Sequence, residues 1–180
     1  MTEKTYIIID FEATCTDSDE FPRDEMEIIE WGVVAVDGKI LLPVGEFQSF
    51  ARPVRNPVLT EFCKRLTNIS QNDVGNAPLF PETLMKFSDW LSQYDYPIFC
   101  SWGNYDKNQL VKDCSYHQLE YPFKTDYHVN LKKRFSQKMG LKNPSMDKAL
   151  RITDTELTGE HHRGIDDARN IAKLMPLIFK

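Results

Sequence analysis

Three separated stretches carry acidic side chains at spacings that could gather a hard cation: DFEA from residue 10, SWGNYD ending at 106 and EHHRGIDDARN from 160. The first leaves a run, TYIIID, that reads as a strand apolar on both faces and hence central in a sheet. Side chains alternate along a strand, so Asp10 and Glu12 share one face and Phe11 takes the other. Two carboxylates emerging together from a buried strand repel one another and lose hydration, a cost that a bound cation offsets. Mg²⁺ takes oxygen ligands, with substrate phosphate often completing its shell. Taken alone, such a pair is more often exposed surface charge than a metal site.

The second stretch drops Asp106 into the first turn of a helix. Acids often sit there only to complement the helix dipole, yet strand ends in open α/β sheets are also where ligands gather. In the third stretch, about 100° per residue puts Ile165, Ala168, Ile171, Ala172, Leu174, Met175 and Ile178 on one apolar arc. Asp166 falls about 175° from the centre of that arc and is expected to face water, whereas Asp167 falls about 75° away, at the edge toward the sheet. His162 lies on the loop before the helix, within reach of the same cavity, and His161 is expected to project elsewhere. An imidazole with a reference pKa near 6.5 can take a proton from water at neutral pH.

The elements that must position these groups follow from periodicity. EIIEWGVVAV and KILLPVGEFQSFA read as strands joined by a tight turn at Asp37-Gly38. TEFCKRLT and PETLMKFSDWLSQY read as helices, the second with Pro at its start. PIFCSW is a short buried strand, a further short strand is expected near 124–128, and NYDKNQLVKDC, NLKKRFSQKMG and IDDARNIAKLMPLIF are helical. Antiparallel strands followed by strands alternating with helices predict a mixed α/β sheet covered by helices, folded as a single domain over residues 1–180. Glu30 shares a strand face with Ile28, Val34 and Val36 and is expected to be buried with an Arg or Lys partner.

Composition narrows the functions available. Hydrophobic residues at 41% and charged residues at 27% are ordinary globular usage, and no run approaches the length of a membrane span. A membrane partner is not expected. The amino-terminal residues lack the basic flank and apolar length of a secretory signal, so a cytoplasmic location is expected. Four cysteines without a CxxC pair read as reduced packing residues. The net charge of −5 argues against coating long nucleic acid but not against holding a few nucleotides. Residues 132–151 depart from that balance with a net +6 from seven basic side chains against Asp147. A solvated helix face and a phosphate track both fit that segment.

DFEAT, the Asp of SWGNYD and HRGIDD, in that order and each on its expected element, resemble the three motifs of the DEDDh 3′-to-5′ exonucleases. The spellings DFEATC, EIIEWGVV and EFCKRLTNIS are most similar to the branch of the 3′ histone-mRNA exonuclease and the enhanced-RNAi nucleases. The likeness runs from Tyr6 to about Leu174. It implies a ribonuclease H-like fold in which three antiparallel strands precede parallel ones. It also implies that Asp10, Glu12, Asp106 and Asp167 hold two divalent cations, Mg²⁺ or Mn²⁺, and that His162 is the general base. Thr14, Leu66 and Thr67 fall in family segments that border the terminal nucleotide, and Phe11 and Phe62 could add stacking or apolar contact to a base. Gly164 stands where many relatives have alanine, a difference expected to have no catalytic effect. The accessory RNA-binding domain of some relatives has no counterpart in these residues, so stem-loop recognition is not expected.

The resemblance implies hydrolysis from a free 3′ end of single-stranded nucleic acid, RNA favoured, releasing nucleoside 5′-monophosphates. A DNA proofreading or repair exonuclease of the same chemistry is the alternative, since only contacts to the 2′-OH separate the sugars. A noncatalytic RNA-binding domain is the third reading, weakened by the presence of all five active-site residue types.

Overall fold

A computed structural model describes residues 4–125 and 127–180. Its centre is a five-stranded sheet in the order β3-β2-β1-β4-β5. The strands are β1 (Lys4–Ala13), β2 (Ile28–Asp37), β3 (Pro43–Phe50), β4 (Tyr96–Ser101) and β5 (His128–Asn130). β1 pairs antiparallel with β2 and β2 with β3, whereas β1 and β4, and β4 and β5, run parallel. This is the mixed sheet that the order of elements predicts.

Among the described residues eight α-helices flank it: α1 (Glu61–Thr67), α2 (Gln71–Gly75), α3 (Phe80–Leu91), α4 (Tyr105–Tyr116), α5 (Leu131–Met139), α6 (Met146–Ile152), α7 (Gly164–Lys173) and α8 (Met175–Phe179). Alternation along β1 and β2 divides the core. Ile7, Ile9, Phe11, Trp31 and Val33 pack with α3 and α4, while Ile8, Val34 and Val36 pack with residues of α5 through α8. Asp10 and Glu12, in phase with Ile8, therefore turn toward the α7 side.

Four local expectations change. β2 and β3 are joined by residues 38–42 rather than a two-residue turn: the Asp37 carboxylate accepts from the backbone N–H groups of Lys39 and Ile40, both at 2.8 Å, and winds the chain before Pro43. Ile28, expected beside Glu30, packs in the α3/α4 core, because the β1–β2 register shifts between Glu12 and Ala13. The expected strand near 124–128 starts only at His128, and position 126 of that segment lies outside the described residues. The last helix divides at Leu174 into α7 and α8, with Pro176 in the first turn of the second, where its missing N–H costs nothing. Helix α6 was not anticipated. It is only seven residues long and too short to display a helical period.

Two glycines let helix and sheet meet. A Cβ on Gly32 of β2 would lie 1.9 Å from the backbone carbon of Gly164, and one on Gly164 would lie 2.7 Å from the carbonyl oxygen of Asp10. The start of α7 thus rests directly on the backbones of β1 and β2. Alanine at 164 is consequently not a neutral exchange here, contrary to the expectation from sequence, because it would press on the residue that carries the first carboxylate.

Candidate active site

The four acids arrive on three elements, and packing brings them together. Asp10 and Glu12 stand near the end of β1, Asp106 in the first turn of α4, and Asp167 in the first turn of α7. Carboxylate oxygens of Asp10, Glu12 and Asp167 lie within 4.8 Å of one another. Asp106 joins from the far side of β1, where its Oδ1 accepts from the Phe11 backbone N–H at 3.0 Å. All four line one cleft of about 320 Å³ with His161 and His162. Asp106 and Asp167 are buried, and Asp10 and Glu12 are half-buried.

The electrostatics are those of crowded anions in a poor solvent. Burial pushes Asp10 well above the ordinary carboxylate range, with Asp106 and Glu12 adding repulsion. Burial does the same to Glu12, with Asp167 its strongest repulsive neighbour. Asp106 is pushed up to about 6 by burial, against the pull of the Phe11 N–H. Asp167 is raised by burial and held down by its bonds to the histidine loop. Such a cluster favours whatever neutralises it, and its donors are all oxygens, the set that Mg²⁺ and Mn²⁺ prefer. The residues fit a divalent cation.

The histidine loop is built around Asp167. Its Oδ2 accepts from the His162 backbone N–H at 2.9 Å, and both of its oxygens lie 3.1 Å from His161 Nδ1. His162 adopts a left-handed backbone, φ 67°, and its ring stacks on that of His161 with centroids 4.0 Å apart. Thus His161 does not project away. It covers Asp167, while the His162 ring nitrogens accept or donate no hydrogen bond among the described residues. Burial, and then His161, holds the His162 imidazole below its ordinary pKa, so it is neutral at pH 7 and able to accept a proton.

A buried anchor sets this loop in place. Glu30, fully buried, receives Arg163 Nε at 3.1 Å, the Gly164 backbone N–H at 3.1 Å and Gln48 Nε2 at 2.9 Å. The basic partner expected for Glu30 is Arg163. Sequence reasoning assigned no place in the site to the wall residues Trp102, Tyr105, Lys132, Ser145 and Met146. Lys132 was visible only as part of a basic segment, and Tyr105 only as the neighbour of Asp106.

The softer expectations fare differently. Thr67 has no exposed surface, and its hydroxyl donates to the Cys63 carbonyl at 2.9 Å and accepts from the Ile69 N–H. Thr14 is 2% exposed, and its hydroxyl accepts from the Glu27 N–H at 3.0 Å. Both hydroxyls are engaged with the backbone of the fold. Leu66 is 38% exposed and free to touch a ligand. The Phe11 ring packs edge-on against Trp31 in the core, so it offers no stacking surface. Phe62 instead lines a neighbouring cavity of about 360 Å³ that shares Tyr105 with the acidic cleft.

A family model described as an exonuclease of the RNase T type matches residues 7–175. The chain belongs to this exonuclease family. Human 3′-5′ exoribonuclease 1 is 32% identical to the exonuclease chain over 176 residues, covering 93% of it and 50% of the human protein. Probable 3′-5′ exonuclease KapD of Bacillus subtilis is 31% identical over 183 residues, covering 99% of the chain and 86% of that protein. The solved nuclease domain of 3′hExo, a DEDDh family member bound to rAMP, superposes with a TM-score of 0.86 at 31% identity, covering 96% of the chain and 90% of that domain. The exonuclease chain spans about half the length of the mammalian relatives it matches. The DEDDh resemblance and the ribonuclease H-like mixed sheet are thereby borne out.

Proposed function

We propose that this chain is a 3′-to-5′ exonuclease that removes nucleoside 5′-monophosphates from the 3′ end of single-stranded RNA with the help of two divalent cations. The observation that carries the reading is the convergence of Asp10, Glu12, Asp106 and Asp167 from three elements onto one cleft. A cluster so desolvated and mutually repulsive is stable at neutral pH when cations occupy it. Bound Mg²⁺ or Mn²⁺ supplies polarisation of the scissile phosphate and activation of water. The four carboxylates, held on three elements, would hold the cations. His162, neutral and unpaired, takes the proton of the attacking water through a ring nitrogen. Asp167 anchors the His162 backbone, keeping the base beside the cluster. Lys132, on the cleft wall, adds positive charge where a phosphate would enter.

RNA is favoured over DNA by the names of the mammalian relatives and by the rAMP in the solved nuclease domain. Incubating a 3′-labelled single strand with the protein and Mg²⁺ is expected to release labelled mononucleotide from the start of the reaction, and excess chelator should abolish that release. Asp10→Asn should lower turnover by about 10³-fold or more, since charge stabilisation by a bound cation is worth several kcal/mol. Release that persists in chelator, or a fully active Asp10→Asn, would overturn the assignment. A matched DNA strand in parallel reads out the sugar preference.

A further inference from the structure

A second concavity lies beside the acidic cleft. It is a groove of about 410 Å³ lined by Asn104, Tyr127, His128, Asn130, Lys133 and Arg134. The two spaces share walls on two elements. Asn104 lines the groove while its neighbours Tyr105 and Asp106 line the cleft, and Lys133 lines the groove while Lys132 lines the cleft. Asn130 Nδ2 donates to Asn104 Oδ1 at 2.9 Å, which ties the two walls together at the junction.

The chemistry of the groove is that of a polyanion path. Lys133 and Arg134 are exposed, and among the described residues no carboxylate pairs with either. The Arg134 guanidinium rests on the Phe179 ring at 4.9 Å, which limits its freedom without neutralising it. Tyr127 is 56% exposed, an aromatic face open to solvent at the groove wall. Cations beside an exposed ring match single-stranded nucleic acid, whose phosphates take the charge and whose bases stack regardless of sequence. The net +6 of residues 132–151 places this groove within the one basic region of an otherwise acidic chain.

We propose that this groove binds the nucleotides on the 5′ side of the scissile bond, with Lys133 and Arg134 on successive phosphates and Tyr127 stacked on a base. The inference rests on the exonuclease reading for its direction, since that reading puts the 3′ end in the acidic cleft. It assigns to the groove the part of substrate affinity that depends on strand length.

The test measures binding and turnover separately. Binding of a fluorescent single-stranded 12-mer is followed by anisotropy, in chelator, at several salt concentrations, for the parent chain, Lys133→Gln, Lys133→Gln with Arg134→Gln, and Tyr127→Ala. Each lost phosphate contact should reduce the slope of log affinity against log salt by about 0.7, so about 1.4 for the double variant. Tyr127→Ala should weaken binding at least about fivefold, the lower end of what one stacked base contributes. Where turnover is present, kcat/KM for the 12-mer relative to a dinucleotide should fall in the same variants, the change lying in KM. Unchanged salt slopes and affinities in folded variants overturn the proposal, as does a parent chain that fails to bind the 12-mer. Lys133→Gln, at an exposed and unpaired position, keeps the question open to test should Arg134→Gln unsettle the Phe179 contact. Binding that behaves as expected without cation-dependent hydrolysis would sink the nuclease reading and leave the groove standing.

Discussion

At the scale of single residues, the two adjacent histidines differ by what their rings touch. His161 Nδ1 is engaged with Asp167, whereas the His162 ring is unpaired, neutral and inside the cleft. His162→Ala should therefore lower kcat by about 10²–10⁴-fold, the range that a positioned general base supplies, with little change in cation affinity. His161→Ala should cost less, because Asp167 keeps its bond from the His162 N–H. Single-turnover rates for the two variants decide the matter; equal losses would mean that the base is misassigned. Sequence alone favoured His162 over His161 by its place on the loop before the helix and by the family resemblance. It misplaced His161 because a helical wheel says nothing about a loop with a left-handed residue in it. The four acids were legible because strand alternation and helix phase are local rules. What the Thr14 and Thr67 hydroxyls bond was not legible in sequence: a hydroxyl near a motif can be taken up by the backbone, and only the fold reveals that.

At the scale of elements, the cleft depends on how α7 is held against the sheet. Glu30 does this from β2 by binding Arg163 and the first N–H of the helix. Replacing it by alanine leaves Arg163 partly buried with the Phe50 ring but without its buried carboxylate, and loss of one member of a buried pair typically costs about 3–5 kcal/mol. For a chain of this size that corresponds to a Tm lower by roughly 6–20 °C. Because the loop carrying His162 begins beside the same arginine, activity measured well below the new Tm should fall as well. A Glu30→Ala protein that melts like its parent would show that the anchor is dispensable. This element-level arrangement was half visible in advance. The phase of β2 marks Glu30 as inward-facing, but the identity of its partner, 133 positions away in sequence, is a product of tertiary packing. The loop from 38 to 42 and helix α6 escaped for want of any period to detect.

At the scale of the whole molecule, the acid cluster makes stability depend on pH and on dications together. Asp10, Glu12 and Asp106 titrate above their ordinary values when folded, Asp106 at about 6. The folded state therefore keeps protons that the unfolded chain releases near pH 4. In chelator this contribution is complete below about pH 4 and is lost as pH rises through 6 and beyond. His128, lowered to about 4 by burial, works in the opposite direction, losing stability as pH falls below about 6.5. Comparing the parent with Asp10→Asn isolates the cluster: in chelator the variant should gain Tm over the parent as pH climbs from 5 to 8, and Mg²⁺ should raise the parent's Tm more at pH 8 than at pH 5. Calorimetry that finds no such divergence would refute the account of the cluster. The bare backbone crossing of Gly32 and Gly164 has a consequence of another kind. Asp167, at the start of α7, takes its distance from β1 partly through a contact made by no side chain, so a library randomised at position 32 and selected for catalysis should return the parental residue alone, although Gly32 does not line the cleft.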